Sequence, residues 1–221
     1  MITVRTKGLL FDMDGVLISS LGSVERSWQT WAEGHGLDVR QTIKTAHGMR
    51  AIETVRTLMP HADHEAELKV IEDLEVGDND GLEVLEGVSS ILQLLPQKYW
   101  TIVTSATERL ARSRLAFAGV PVPKEIITAD LVAHGKPHPE PYLKGAKILG
   151  LAPADCIVVE DSSSGARAGH AAGCKVLATT FSHSIEQLTA ADWIVASLAK
   201  VKVAILPEEQ GLELTFPPLA R

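Results

Sequence analysis

The sequence predicts an α/β fold: a doubly wound parallel sheet covered on both faces, with a helical domain inserted after its first strand. Three observations carry that prediction. Short apolar runs alternate with helix-patterned segments over most of the chain, which is the mark of repeated βα units. The runs are apolar at successive positions rather than at alternate ones, as strands buried on both sides must be. One stretch, from about residue 18 to 84, breaks the alternation and shows helical spacing only.

In chain order, Gly8-Leu9-Leu10-Phe11 reads as the first strand. After it, Val24, Trp28, Trp31 and His35 recur at helical spacing, as do Ile52, Val55 and Met59, and residues 61–80 are acidic and helical in composition. Trp28 and Trp31 are assigned to the core of this unit, His61 and His64 to its surface. The expected division is a discontinuous α/β core, residues 1–17 and 84–221, and a helical cap, residues 18–83. The loop after a strand's carboxyl end borders the ligand crevice of such sheets, so an insertion there can serve as a lid. Trp100-Thr101-Ile102-Val103, Glu125-Ile126-Ile127-Thr128, Cys156-Ile157-Val158-Val159 and Lys175-Val176-Leu177-Ala178 read as the further strands. Helices are expected over residues 107–119, 139–150 and 163–173, each with a glycine near its end. Residues 201–205 and 212–216, around Glu209-Gln210-Gly211, read as a hairpin without chemical role.

Composition removes several classes of function. The 221 residues are 45% hydrophobic and 22% charged, which suits a packed globular protein and not a disordered one. A balance of 21 basic against 28 acidic residues, net −7, provides no basic footprint for nucleic acid. No run approaches the ~18 apolar residues of a membrane helix, and the opening MITVRTKGLLFDMDG lacks a signal-peptide apolar region. Cys156 and Cys174 lie in or beside apolar runs and read as free, buried thiols of a reducing cytoplasm. A cytoplasmic protein with neither a nucleic-acid nor a membrane partner is expected. Oligomeric state is left open, a monomer being compatible.

Four clusters could carry chemistry. In Leu9-Leu10-Phe11-Asp12-Met13-Asp14-Gly15 an apolar strand ends in two carboxylates spaced i and i+2, which tend to point the same way. Such a pair is costly unless a cation or proton accompanies it; the plainer reading is a turn with aspartates capping the next helix. Val158-Val159-Glu160-Asp161-Ser162-Ser163-Ser164-Gly165 repeats the pattern, and its carboxylates suit Mg²⁺ better than zinc, or simply cap a helix. Lys136 in Gly135-Lys136-Pro137-His138-Pro139 is a loop lysine held between stiff prolines, solvated by default but suited to balancing nearby acids and holding a phosphate oxygen. Thr104-Ser105 ends a strand just before a helix, where hydroxyls and N-terminal amides make an anion site or an ordinary cap.

Taken in order, Asp-x-Asp, Ser, Lys and Glu-Asp at successive strand ends, the chain resembles the haloacid dehalogenase-like (HAD) hydrolase superfamily, over nearly its full length. The matching motifs are Asp12-Met13-Asp14-Gly15-Val16, Thr104-Ser105, Lys136 and Glu160-Asp161, and the insertion looks like that family's C1-type cap on a Rossmann-like core. His47-Gly48-Met49-Arg50 and the segment from Gly135-Lys136-Pro137 to Lys144-Gly145 are similar to the branch of glycerol-3-phosphate, 2-deoxyglucose-6-phosphate and bacterial sugar-phosphate phosphatases. Val16, Ser19 and Ser162-Ser163-Ser164 depart from the usual Thr, Asp and Ala-Pro-Ala, and none removes a reacting group.

The resemblance implies a Mg²⁺-dependent phosphatase acting on a small phosphorylated metabolite, a sugar, polyol or glycerol phosphate. Asp12 would be the nucleophile and Asp14 the general acid and base. Ser105 and Lys136 would hold the phosphoryl oxygens. Asp12, the backbone carbonyl of Asp14, Asp161 and, directly or through water, Glu160 would bind the metal. His47 and Arg50 are cap candidates for touching the sugar or polyol, or else solvent-facing helix residues. A phosphosugar mutase of the β-phosphoglucomutase type is the alternative, and a non-catalytic metabolite-binding protein the third reading. A dehalogenase would not need Asp14 as an acid.

Overall fold

A computed structural model describes residues 1–207 and 210–220. The chain opens with β1 (Ile2–Thr6) and β2 (Gly8–Phe11). A short β3 (Ile18–Ser19) leads into α1 (Leu21–Gly34), α2 (Val39–Ala46), α3 (Ala51–Leu58) and α4 (His64–Gly77), and an equally short β4 (Glu83–Val84) leads out. Next come α5 (Val88–Leu94), β5 (Trp100–Ile102), α6 (Glu108–Ala118), α7 (Glu140–Ile148), β6 (Cys156–Glu160), α8 (Ser163–Ala171), β7 (Lys175–Thr179), β8 (Trp193–Val195), β9 (Lys202–Ile205) and β10 (Leu212–Phe216).

The main sheet is parallel, in the order β5-β2-β6-β7-β8. Its strands are buried on both faces, and side chains alternate between two cores. Leu9, Phe11, Ile157, Val159 and Leu177 enter one, Leu10, Val158, Val176 and Ala178 the other. That is why the runs are continuously apolar: each face meets helices, not water. The strand that follows β2 in the sheet, β5, lies on one side of it and the next, β6, on the other. The carboxyl end of β2 is therefore the switch point, where such sheets open a crevice.

The four inserted helices close around a core of their own. Trp28 and Trp31 meet edge-on at 5.3 Å between ring centroids, packed with Ala46, Val55 and Ile71. Trp31 Nε1 donates to Glu67 Oε2 at 2.8 Å, which satisfies the indole inside that core. The two passages between insertion and sheet run side by side. β3 and β4 pair antiparallel, Ile18 opposite Val84 and Ser19 opposite Glu83, and Leu85 N donates to Leu17 O at 3.0 Å.

Three expectations need correction. Residues 125–128 form no strand; one parallel bridge joins Ile127 to Val103 at the sheet's edge. Short apolar character was present there, but only the rung beside β5 finds backbone partners. The fifth strand is instead β8, only three residues long, too brief for a periodicity to show. The terminal hairpin exists as β9 and β10, but β10 also pairs along its length with β1, giving a three-stranded antiparallel sheet. Of the residues assigned to its turn, Glu209 lies outside the described residues.

Candidate active site

Three adjacent strands deliver the acids and hydroxyls to one rim. Asp12 follows the last residue of β2, and its N–H donates to Val159 O of β6 at 2.9 Å, holding it level with the end of that strand. Glu160 ends β6 and Asp161 follows it; Thr104 and Ser105 follow β5. Gly15 makes the turn possible: its φ is +78°, and a Cβ there would stand 1.9 Å from Asp161 Oδ2. Only glycine lets the first loop close against the second acid.

Lys136 reaches this rim from the loop before α7. Its Nζ donates to Asp12 Oδ1 and to Glu160 Oε1, both at 2.7 Å, in a fully enclosed setting. Glu160 is committed on both oxygens. Oε1 accepts from Lys136 and from Tyr142 Oη at 2.7 Å; Oε2 accepts from the N–H groups of Asp161 and Ser162 and from Ser162 Oγ. A Cβ at Gly165 would overlap Glu160 Oε1, so the first turn of α8 is pared down to admit the carboxylate. Ser162 caps α8, accepting from Gly165 N at 3.0 Å. The capping expected of this segment thus coexists with an acidic cluster.

The electrostatics show what the cluster lacks. Asp12, Glu160 and Asp161 bring ligand atoms within 4.8 Å of one another, against the single ammonium of Lys136. Burial, with Glu160 and Asp14 close by, pushes Asp12 up to about 7 despite Lys136. Burial and the neighbouring Glu160 and Asp12 raise Asp161 well above the carboxylate range. Burial works against the charged forms of Lys136 and Glu160 too, but their attraction outweighs it: the lysine is raised and the glutamate lowered. Three carboxylates and one ammonium leave two negative charges, which fits one divalent cation. The donor set is all oxygen, suited to a hard ion. Asp12 and Asp161 have oxygens to offer; Glu160, with both oxygens engaged, contributes its charge and the posture of Lys136 and not a free lone pair.

Asp14 sits beside this cluster and lines the cavity between sheet and insertion, with its Oδ1 accepting from Arg114 Nη1 at 2.9 Å. Ser105, Lys136, Asp12, Asp161 and His47 line the same cavity. His47 Nε2 is buried there without a hydrogen-bond partner among the described residues. Leu21, Val24, Trp28, Met49 and Leu110 give the same cavity apolar lining.

Arg50 is not brought into the cavity. It is buried, and its guanidinium donates to the carbonyls of Val132 at 2.9 Å and Ala133 at 3.1 Å and to Glu53 Oε1 at 2.6 Å. It ties α3 to the loop of the α/β body. The same junction has a second tie, from Ser164 Oγ to Gly48 O at 3.0 Å. Three residues given no role from the sequence belong to the site: Tyr142 behind Lys136, within a segment noted only for its resemblance, and Arg114 with Glu75 behind Asp14. Glu75 and Arg114 lie 39 residues apart in the chain, so no local pattern could join them.

The family description haloacid dehalogenase-like hydrolase matches residues 6–173. Hexitol phosphatase A of Escherichia coli (strain K12) is 40% identical over 209 residues, covering 92% of this chain and 97% of that protein. Glycerol-1-phosphate phosphohydrolase 2 of Saccharomyces cerevisiae is 30% identical, over 91% of this chain and 86% of that one. Among solved structures, β-phosphoglucomutase from Clostridium difficile superimposes with a TM-score of 0.76 at 22% identity, over 90% of this chain and 94% of the other.

Proposed function

This chain belongs to the haloacid dehalogenase-like hydrolase family and is a phosphoric monoester hydrolase, and from that premise we propose that it is a cytoplasmic, Mg²⁺-dependent phosphatase of small polyol, sugar or glycerol monophosphates. The observation that carries this reading is the meeting of Asp12, Asp161 and Lys136 at one buried rim, with Asp14 alongside on the cavity wall.

In the proposed reaction an Asp12 oxygen attacks phosphorus as the bond from phosphorus to the substrate oxygen breaks, giving an aspartyl-phosphate. Asp14 gives its proton to the departing alkoxide. It then takes one from the water that attacks the phosphorus, releasing inorganic phosphate and restoring Asp12. Lys136 and Ser105 hold the non-bridging oxygens, where charge stabilisation does most of the work. Mg²⁺, held by Asp12 and Asp161 with the Asp14 carbonyl, would supply positive charge that offsets repulsion between the carboxylate and the phosphate dianion. Residues 18–83 act as the cap over residues 1–17 and 84–221, and His47 faces the substrate's organic part.

The mutase reading draws on the structural likeness to β-phosphoglucomutase. A mutase that re-offers its phosphoryl group must accommodate a doubly phosphorylated species, hence a second anion site. Among the described residues lining the cavity the only arginine or lysine besides Lys136 is Arg114, and it is already paired with two carboxylates. That favours hydrolysis of monophosphates. The test is phosphate release, with Mg²⁺, across hexitol, hexose, deoxyhexose and glycerol phosphates, beside Asp12→Asn. Release stoichiometric with ester consumed, absent in the variant, is expected; isomerisation that conserves the ester would overturn it.

A further inference from the structure

Arg114 is among the largest side chains that the fold encloses completely. It stands on α6 between Leu110, Ala111 and Leu115, all buried, a position where an apolar residue would pack without electrostatic cost. Removing a charged group from water costs several kcal/mol unless it is paired, so the pairing must be understood. Nη1 donates to Asp14 Oδ1 at 2.9 Å, and Nη2 to Glu75 Oε1 at 3.4 Å. Nε, also buried, has no hydrogen-bond partner among the described residues. Glu75 comes from α4, the last inserted helix, and is itself enclosed. One guanidinium therefore joins a carboxylate of the sheet's rim to a carboxylate of the cap.

Asp14 depends on this contact. Its side chain is 29% exposed on the cavity wall, and the bond to Arg114 is the hydrogen bond that holds its carboxylate. An aspartate in that position swings about two torsions unless something fixes it. A rigid, planar guanidinium anchored at two points fixes the orientation of what it binds better than a flexible ammonium does. With Oδ1 held, Oδ2 is the oxygen left to exchange a proton.

We propose that Arg114 is the positioning residue for Asp14, and that Glu75 anchors it from the cap, so that proton donation to the leaving oxygen is geometrically set only when α4 is seated against α6. The inference rests on the phosphatase reading above. It assigns Arg114 and Glu75 no contact with the phosphoryl group; they act through Asp14.

Leaving groups separate this role from a purely structural one. An alkyl phosphate needs its departing oxygen protonated, whereas 4-nitrophenyl phosphate leaves as a stabilised anion and needs no acid. The first irreversible step, read as kcat/KM, should therefore respond differently to the two esters. The experiment compares the parent, R114M/E75Q (which leaves no unpaired buried carboxylate at position 75), R114K and E75Q, on an alkyl monoester that the parent hydrolyses and on 4-nitrophenyl phosphate. Expected is a fall of about 10²-fold on the alkyl ester for R114M/E75Q, in the range of general-acid contributions, against less than about threefold on the aryl ester. R114K should restore part of the alkyl activity, and E75Q should show a smaller loss of the same selectivity. If the double variant does not fold, R114K decides on the same criterion. Equal fractional losses on the two esters, or none, would overturn the proposal while leaving the phosphatase intact. A parent that hydrolyses neither ester would instead defeat the functional reading on which it stands.

Discussion

Asp12 illustrates how one side chain can be held in an unfavourable state for the sake of chemistry. Its carboxylate is buried beside Glu160 and Asp161, and in the proposed reaction it is the group that would form the aspartyl-phosphate. Asp12→Asn is expected to lower phosphate release by about 10⁴-fold or more. The same substitution removes a repelling charge, so in chelator its melting temperature should rise above the parent's, as a thermal melt would show. Glu75 makes a second test. Burial, more than its Arg114 partner offsets, pushes it up to about 7, so the folded chain holds a proton there that the unfolded chain has released. Stability must then fall as pH rises from about 4.5 to about 7, by roughly 3 kcal/mol at most from this group. Glu75→Gln should flatten that part of the curve in urea titrations at several pH values. Asp12, Asp161 and Lys136 were legible because each ends a strand or stiffens a loop within a recognisable run. Arg114 and Glu75 were not, because charges in a helical pattern, Glu75 in the acidic stretch from Glu72 to Asp80 above all, look like a solvated helix end until the partner helix is in place.

Among the elements, the strands that sequence revealed are those buried on both faces, β2, β5, β6 and β7. Their apolar runs are long enough to stand out from helix. β1 and β8 escaped notice because pairing with distant segments, not local composition, makes them strands: β1 exists through β10, some 200 residues on, and β8 through β7. Arg50, a candidate either for touching the substrate from the cap or for facing solvent, is instead buried at the junction of α3 with the α/β body. Its guanidinium satisfies carbonyls in the 132–133 loop, which no reading of His47-Gly48-Met49-Arg50 alone could foresee. Arg50→Met should therefore cost about 2 kcal/mol of stability through the orphaned carbonyls and Glu53, with KM for the preferred ester changed less than about threefold. Denaturant unfolding with steady-state kinetics on one preparation checks both; a raised KM at unchanged stability would return Arg50 to the substrate.

For the molecule as a whole, charge is arranged against the grain of its total. The chain is net −7, its reaction rim is acidic as well, and its substrate is an anion. The divalent ion proposed above would reconcile these facts, because it would convert two surplus negative charges into a neutral anchor beside Lys136. Chelation should abolish turnover, and Mg²⁺ at about 100 times its dissociation constant should stabilise the chain by about 2.7 kcal/mol. Asp161→Asn should lose most of that increment, measured by melting with and without the ion. Among the described residues no helix is long and apolar enough to cross a membrane, and Cys156 and Cys174 are free and buried.

The paired crossing at β3 and β4 has a further consequence. Since Leu17 and Leu85 are already joined by a backbone hydrogen bond, the segment between them begins and ends at one address. A genetic deletion of that segment, bridged by a tight turn, would leave the parallel sheet's connectivity untouched. A different helical unit could be spliced in at the same two cut sites. On the reading proposed above, recognition of the organic moiety would travel with the exchanged unit, and a replacement would have to supply a carboxylate where Glu75 of α4 meets Arg114 if Asp14 is to stay set.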